Sequence, residues 1–199
     1  APDRGGTHAE QLYAGIRKGA VLMSDGYEVY NGIAKSHQLI HLGCWAHARR
    51  YFVEAEAVLP KAVRRPDQLA TQFIAAIARL YAVEAKVKGK GVAERAQLRE
   101  AASRSILAEI QHLLVTHRHS VTPGSLLGKA LHYLEAQWPK LIRYVENGAW
   151  PIDNNLCENA IRPFVVGRRN WLFADTVAGA NASANIYSLI ETCKANGVD

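Results

Sequence analysis

At 199 residues and 49% hydrophobic content, the chain carries enough apolar material for one sizeable core, or a core with a helical appendage, which excludes general disorder. Its 24 Lys and Arg against 18 Asp and Glu leave a formal charge of +6 with histidine neutral. That surplus favours a polyanionic partner, because a positive field steers nucleic acid to the surface and phosphate contacts release counterions.

Three cysteines, Cys44, Cys157 and Cys193, are odd in number and too widely spread for a disulfide framework. No apolar run approaches the roughly 20 residues that span a bilayer, and no charged leader with an apolar core opens the chain. A cytoplasmic protein without a membrane partner is the expectation. The chain opens at Ala1 and not at a methionine, so further residues are expected upstream.

In chain order, residues 7–18 read as a short helix: Thr7 is a capping residue, Glu10 follows three positions later, and Leu12 and Ile16 sit one turn apart. Gly19 ends it, and Ala20 to Met23 form a buried strand running into Ser24 and Asp25. Residues 28–35 suggest a second helix and Gln38 to Leu42 a second strand, an alternation that implies parallel strands joined by a crossover helix. Residues 45–59 are helical by pattern. Apolar residues recur at helical spacing through Leu69, Phe73, Ile77, Leu80 and Tyr81, and again from Leu98 to Leu114 and from Leu127 to Val145. Lys88 to Gly91 is a turn, and Pro139 is expected to kink or divide the third long helix. These helices make a bundle-like insert over residues 60–147 that shows no polar constellation with evident chemistry. Beyond Trp150, residues 154–162 suggest a helix. Phe164 to Val166 and Asn170 to Phe173 flank a Gly-Arg-Arg turn, and residues 181–194 suggest a last helix.

Four groups of residues offer chemistry. Asp25 follows an apolar strand, so its carboxylate emerges at a carboxyl-terminal strand edge, where open sheets place ligands; Asp followed by Gly is equally a common turn. Asn154, Asn155, Glu158 and Arg162 share one face if helical. The set suits a divalent cation beside a phosphate, or else forms an ordinary capped surface helix. Arg168, Arg169 and Asn170, with Trp171 beside them, can clamp a DNA backbone, or can be solvated surface around a core tryptophan. His41, Cys44 and His47 resemble zinc ligands, but a closed site needs four and no second ligand pair accompanies them, so zinc is not expected. If residues 45–52 are helical, His47, Arg50 and Tyr51 are close, and Arg49 or Arg50 can meet phosphate.

The segments SDGYEVYN at residues 24–31, GCWAHARRYF at 43–52, WPIDNNLCENAIRPFVVGRRNWLF at 150–173 and YSLIETCKANGVD at 187–199 together resemble bacterial transposases of the insertion sequence 66 family. The resemblance runs through nearly the whole chain around the variable helical stretch. It implies an α/β fold: a partial ribonuclease-H-like core, residues 1–59 and 148–199, interrupted by the helical insertion at 60–147. It also implies an Asp-Asp-Glu triad that binds two Mg2+ or Mn2+ ions, with Asp25 as the second aspartate and Glu158 as the glutamate, both as metal ligands. Asn154, Asn155, Arg162, Arg168, Arg169, Asn170, Trp171, Arg49, Arg50 and His47 are implied as DNA-binding or site-supporting residues. The first aspartate and the amino-terminal DNA-binding parts are expected ahead of this chain, and Asp3, in its APDRGG context, is not assigned to the triad.

The activity so implied is metal-dependent cleavage and strand transfer at transposon terminal repeats, with target DNA as second substrate and self-association in the full complex. With one carboxylate elsewhere, this polypeptide alone is expected to be inactive. The competing classes are a nonenzymatic DNA-binding or dimerisation module and a metal-dependent nuclease of the same fold.

Overall fold

The computed structural model describes residues 6–170 and 175–198, the last three of the first span by backbone alone. The chain is mostly helical with one small parallel sheet, and it divides into two compact units at Asn154 and Asn155.

The first unit opens with α1 (Gly6–Leu12), shorter than the sequence suggests. Residues 13–19 turn twice, with Gly15 and Gly19 at φ +80° and +78°, a left-handed geometry that glycine adopts without steric cost and that ends the helix early. Strand β1 (Val21–Ser24), helix α2 (Val29–Ser36) and strand β2 (Ile40–Gly43) then form the expected parallel β-α-β unit. Val21 pairs with Ile40 and Ser24 with Gly43. Leu22, Ile33 and Ala34 are buried together, with Ala9, Tyr13 and Val29 packed on them, so α1 and α2 supply one small apolar cluster beside β1.

A larger core follows from the long helices α3 (Trp45–Ala57), α4 (Leu69–Val87), α6 (Arg104–His117) and α7 (Leu126–Leu141). Their apolar stripes close on one another: Phe52 stacks on Phe73 at 4.4 Å between ring centroids, and Trp45 meets Trp138 edge-on at 6.1 Å. Burying one such large side chain contributes about 1.5–3 kcal/mol. The core takes in Trp45 and Phe52 of α3 together with Tyr144, Val145 and Ile152, so helices from the 60–147 stretch share one interior with residues on both sides of it.

Helix α5 (Val92–Leu98) runs into α6 through a π turn at Arg99–Ser103. That turn sets the buried Arg99 side chain against α4: its guanidinium donates to both Glu84 carboxylate oxygens at 2.8 and 2.7 Å, and to the carbonyls of Tyr144 and Asn147. Pro139 lies inside α7, which continues only to Leu141 before a 3-10 turn at Ile142–Glu146. A proline removes one backbone donor, and the helix ends within a turn of it.

The second unit holds α8 (Asn155–Asn170) and α9 (Val177–Ala195). The Gly-Arg-Arg turn read from the sequence is corrected: residues 164–170 continue α8. Ala160, Ile161 and Phe164 fall on one helical face and line an apolar groove with Ala184 and Tyr187 of α9, Phe164 meeting Tyr187 edge-on at 5.3 Å. That packing rewards helical over extended geometry. The expected segment Asn170 to Phe173 lies mostly outside the described residues. Among the described residues no helix is long and apolar enough to cross a membrane.

Candidate functional site

Asp25 sits one residue past β1, at the carboxyl end of a parallel strand, and is exposed. The turn and the emerging carboxylate, alternatives in the sequence, coexist. Asp25 Oδ1 accepts the backbone N–H of Tyr27 at 3.1 Å, and Gly26 follows at φ +97°. The Asp25 carbonyl accepts the Tyr133 hydroxyl at 2.7 Å, fastening the turn to α7. A Cβ at Gly26 would stand 3.1 Å from both the Tyr133 ring and the Gln137 amide, so the close approach of α7 and the positive φ both require glycine here.

Beneath Asp25 the two strands are tied side to side by Ser24 Oγ and His41 Nε2 at 2.8 Å, both residues buried. Burial, and then the neighbouring charges of Lys140 and Arg143, lower the His41 pKa from 6.5 to about 4, so its imidazole is neutral at physiological pH. His41 braces the strands that present Asp25.

Past β2, Cys44 is buried and its thiol donates to Asn154 Oδ1 at 3.0 Å; burial raises its pKa. The Trp45 backbone N–H donates to the Ile152 carbonyl, and the Trp45 indole N–H to the Leu141 carbonyl at 2.9 Å. Asp153 Oδ2 accepts the Tyr81 hydroxyl at 2.8 Å, an arrangement in which burial and the adjacent carboxylate push the phenol pKa up. Residues 152–154 are thus laced to the start of α3 and to α4. Asn154 precedes α8 and is not on its face, and its carboxamide oxygen is engaged by Cys44. His47 is buried with Nδ1 accepting from Arg50 at 2.8 Å, while Arg49 and Arg50 are exposed on α3. His41, Cys44 and His47 therefore turn to separate partners, and among the described residues no three His, Cys, Asp or Glu side chains form a group able to hold a metal ion.

In the second unit, Asn155 opens α8, Glu158 lies in its first turn and Arg162 one turn on, all three exposed. A carboxylate in the first turn is favoured by the helix dipole. Arg168, Arg169 and Asn170 end α8 by backbone, their side chains lying outside the described residues, as does Trp171 altogether.

Sequence reasoning missed the neighbourhood that α7 supplies. A cleft of about 700 Å3 opens beside the Asp25 turn, lined by Gly26, Glu28 and Asn31 on one side and by Lys129, His132 and Lys140 on the other. Nothing in the sequence marked these α7 residues, because Tyr133 meets Asp25 across 108 positions and the helix reads locally as an amphipathic surface helix.

The family model described as "Transposase IS66 family" matches residues 1–182. Three proteins of Sinorhizobium fredii (strain NBRC 101917 / NGR234), each described as uncharacterized, are similar to the chain. Protein y4qI is 36% identical over 186 residues, covering 90% of this chain and 33% of its own length. Protein y4hP is 29% identical over 207 residues, 99% of this chain and 37% of its own. Protein y4jD is 28% identical over 202 residues, 98% and 38%. The chain spans between a third and two fifths of the length of these relatives. No solved structure matches it at a significant level.

Proposed function

The chain belongs to the IS66 transposase family, and from that premise we propose that it is a segment of the catalytic domain of a DDE-type transposase, whose complete form cuts DNA at transposon ends and joins it to a target. The observation that carries the reading is the position of Asp25: an exposed carboxylate at the carboxyl end of a parallel strand, on a turn held by Tyr133, with a cationic helix face alongside. Open α/β sheets place their ligands at that edge.

In this reading β1, α2 and β2 belong to a ribonuclease-H-like core formed by residues 1–59 and 148–199, and residues 60–147 are the helical insertion. Asp25 and Glu158 are the two acidic ligands that this chain contributes. Asn155, Arg162 and Arg168 orient DNA or brace the site, Arg169, Asn170 and Trp171 extend that surface, and Arg49 and Arg50 contact the backbone. Divalent ions, Mg2+ or Mn2+, would supply activation of water or a 3' hydroxyl and stabilise charge on the phosphate. Asp25 and Glu158 belong to different units of the chain and are two of the three carboxylates that this reading requires. Strand transfer is accordingly assigned to the complete polypeptide in a self-associated complex, at terminal repeats and target DNA, and not to these 199 residues alone.

The surplus of Lys and Arg and the predominance of helix also suit a second reading, in which this segment serves as a DNA-binding or dimerisation module without catalysis. The two separate in a strand-transfer assay of the complete polypeptide on labelled terminal repeats with Mg2+. Asp25→Asn and Glu158→Gln are each expected to abolish nicking and joining, by a factor of about a thousand or more if the carboxylate stabilises transition-state charge, while leaving DNA binding in place. Undiminished joining by either variant refutes the catalytic assignment.

A further inference from the structure

The cleft beside Asp25 has a composition that the family reading did not use. Its α7 wall carries Lys129 and His132, both exposed, one helical turn apart on the same face. Lys140 lies further along and is held in place: its ammonium donates to Asn31 Oδ1 and to Gln137 Oε1, each at 2.8 Å, which fixes a positive charge at the wall. The Tyr51 and Tyr133 rings, stacked at 4.5 Å, add aromatic surface. Opposite them stands Glu28, and the Asp25 turn borders the opening. The cleft thus carries lysines along α7, tyrosine rings from α3 and α7, and the carboxylate of Glu28.

We propose that this cleft is a groove for a single DNA strand, seating one or two nucleotides beside Asp25 with the phosphates on Lys129 and His132 and the sugar or base against the tyrosine wall. Its size argues for this occupant. About 700 Å3 falls within the range of small-molecule pockets, room for a nucleotide or two. The chemistry agrees, since single-strand sites combine cationic side chains along the backbone with aromatic surface for the bases. The identification of the polymer as DNA rests on the transposase reading; the groove itself rests on the side chains that line it. Within the helical stretch, α7 then has a task beyond packing, because it forms the wall against which a strand end lies next to Asp25.

The test is fluorescence anisotropy of the 199-residue chain with a short labelled single-stranded oligonucleotide in EDTA, so that no metal centre is needed, with unlabelled duplex and unlabelled single strand as separate competitors. The double substitution Lys129→Ala with His132→Ala removes only exposed side chains of α7. It is expected to weaken binding about tenfold, the loss of one charge-assisted contact and one further hydrogen bond, and to flatten the logarithmic salt dependence by about 0.7 for the lysine–phosphate contact removed. Glu28→Gln is expected to tighten binding several-fold, an outcome that misfolding cannot imitate. Unchanged affinity and salt slope in both variants, absence of binding by the parent chain, or stronger competition by duplex than by single strand each overturn the groove. A groove that fails while the complete polypeptide still joins DNA leaves the transposase reading standing. A groove that holds while joining is absent or indifferent to Asp25 removes that reading alone.

Discussion

His41 shows how one buried side chain couples the candidate site to pH. Its imidazole is nearly inaccessible, bonded to Ser24 and flanked by Lys140 and Arg143, and its pKa falls to about 4 in the folded chain against 6.5 in the unfolded one. Between those two values the unfolded chain takes up a proton that the folded chain refuses. The stability that neutral His41 contributes is therefore intact above pH 6.5 and is lost progressively as the pH drops toward 4. Urea denaturation midpoints measured from pH 7 down to pH 4.5 are expected to fall, and His41→Gln, which keeps a hydrogen-bonding group but cannot titrate, is expected to remove part of that slope. An identical slope in parent and variant contradicts the assignment. At this same scale Asn154 changes meaning. Read from the sequence it belongs to an acidic and amide face. In the folded chain its carboxamide oxygen accepts from the buried Cys44 thiol and anchors the 150–154 motif to the motif at 43–45.

Among the elements, the helical run from Val92 to His117 depends on its π turn. The extra residue there sends Arg99 inward, where one guanidinium bridges the α4 carboxylate Glu84 to the carbonyls of Tyr144 and Asn147, with the Tyr144 ring 5.2 Å from its centre. Every bond to Arg99 is charge-assisted, and removing it would leave Glu84 and two carbonyls short of partners. Arg99→Ala is expected to cost about 3–5 kcal/mol in chemical denaturation, and Arg99→Lys to recover only part of that, because an ammonium does not span both carboxylate oxygens in a planar fork. A loss below about 1 kcal/mol, the range of an exposed pair, shows that the bridge is not the tie between these helices. The sequence offered Leu98 and Ile106 as one helical stripe and was right about the helix. It contained no sign of the π turn, because the 3.6-residue periodicity of neighbouring apolar positions survives one inserted residue.

For the whole molecule, the described core lies within residues 6–154, where α3, α4, α6 and α7 close on Ile152, while α9 buries none of its described residues. A polypeptide of residues 1–154 is therefore expected to unfold in one cooperative transition with a midpoint close to that of the full chain, measured by circular dichroism in urea. A broad, non-cooperative transition would show that residues 155–199 are needed to complete the core. This arrangement also bears on the candidate site. Asp25 resides in the first unit and Glu158 in the second, so the carboxylates that the family resemblance pairs arise from separately packed parts of one chain.

Much of this was legible before folding. The β-α-β order around Asp25, the long amphipathic helices and the motif segments at 24–31, 43–52 and 150–173 are local patterns, set by apolar periodicity, glycine turns and capping chemistry that act within a few residues of one another. The length of α1, the continuation of α8 through residues 164–170 and the π turn were not legible, since each is decided by what packs against the segment. The cleft was hidden for the same reason at longer range. Lys129, His132 and Tyr133 look like ordinary residues of a surface helix until the shared core of α3 and α7 carries them to the Asp25 turn. The sequence by itself determined which residues carry charge and which stretches coil or extend. Only the tertiary structure decided which of them are neighbours, because a hydrophobic core recruits apolar faces irrespective of their separation along the chain and takes the polar faces with it.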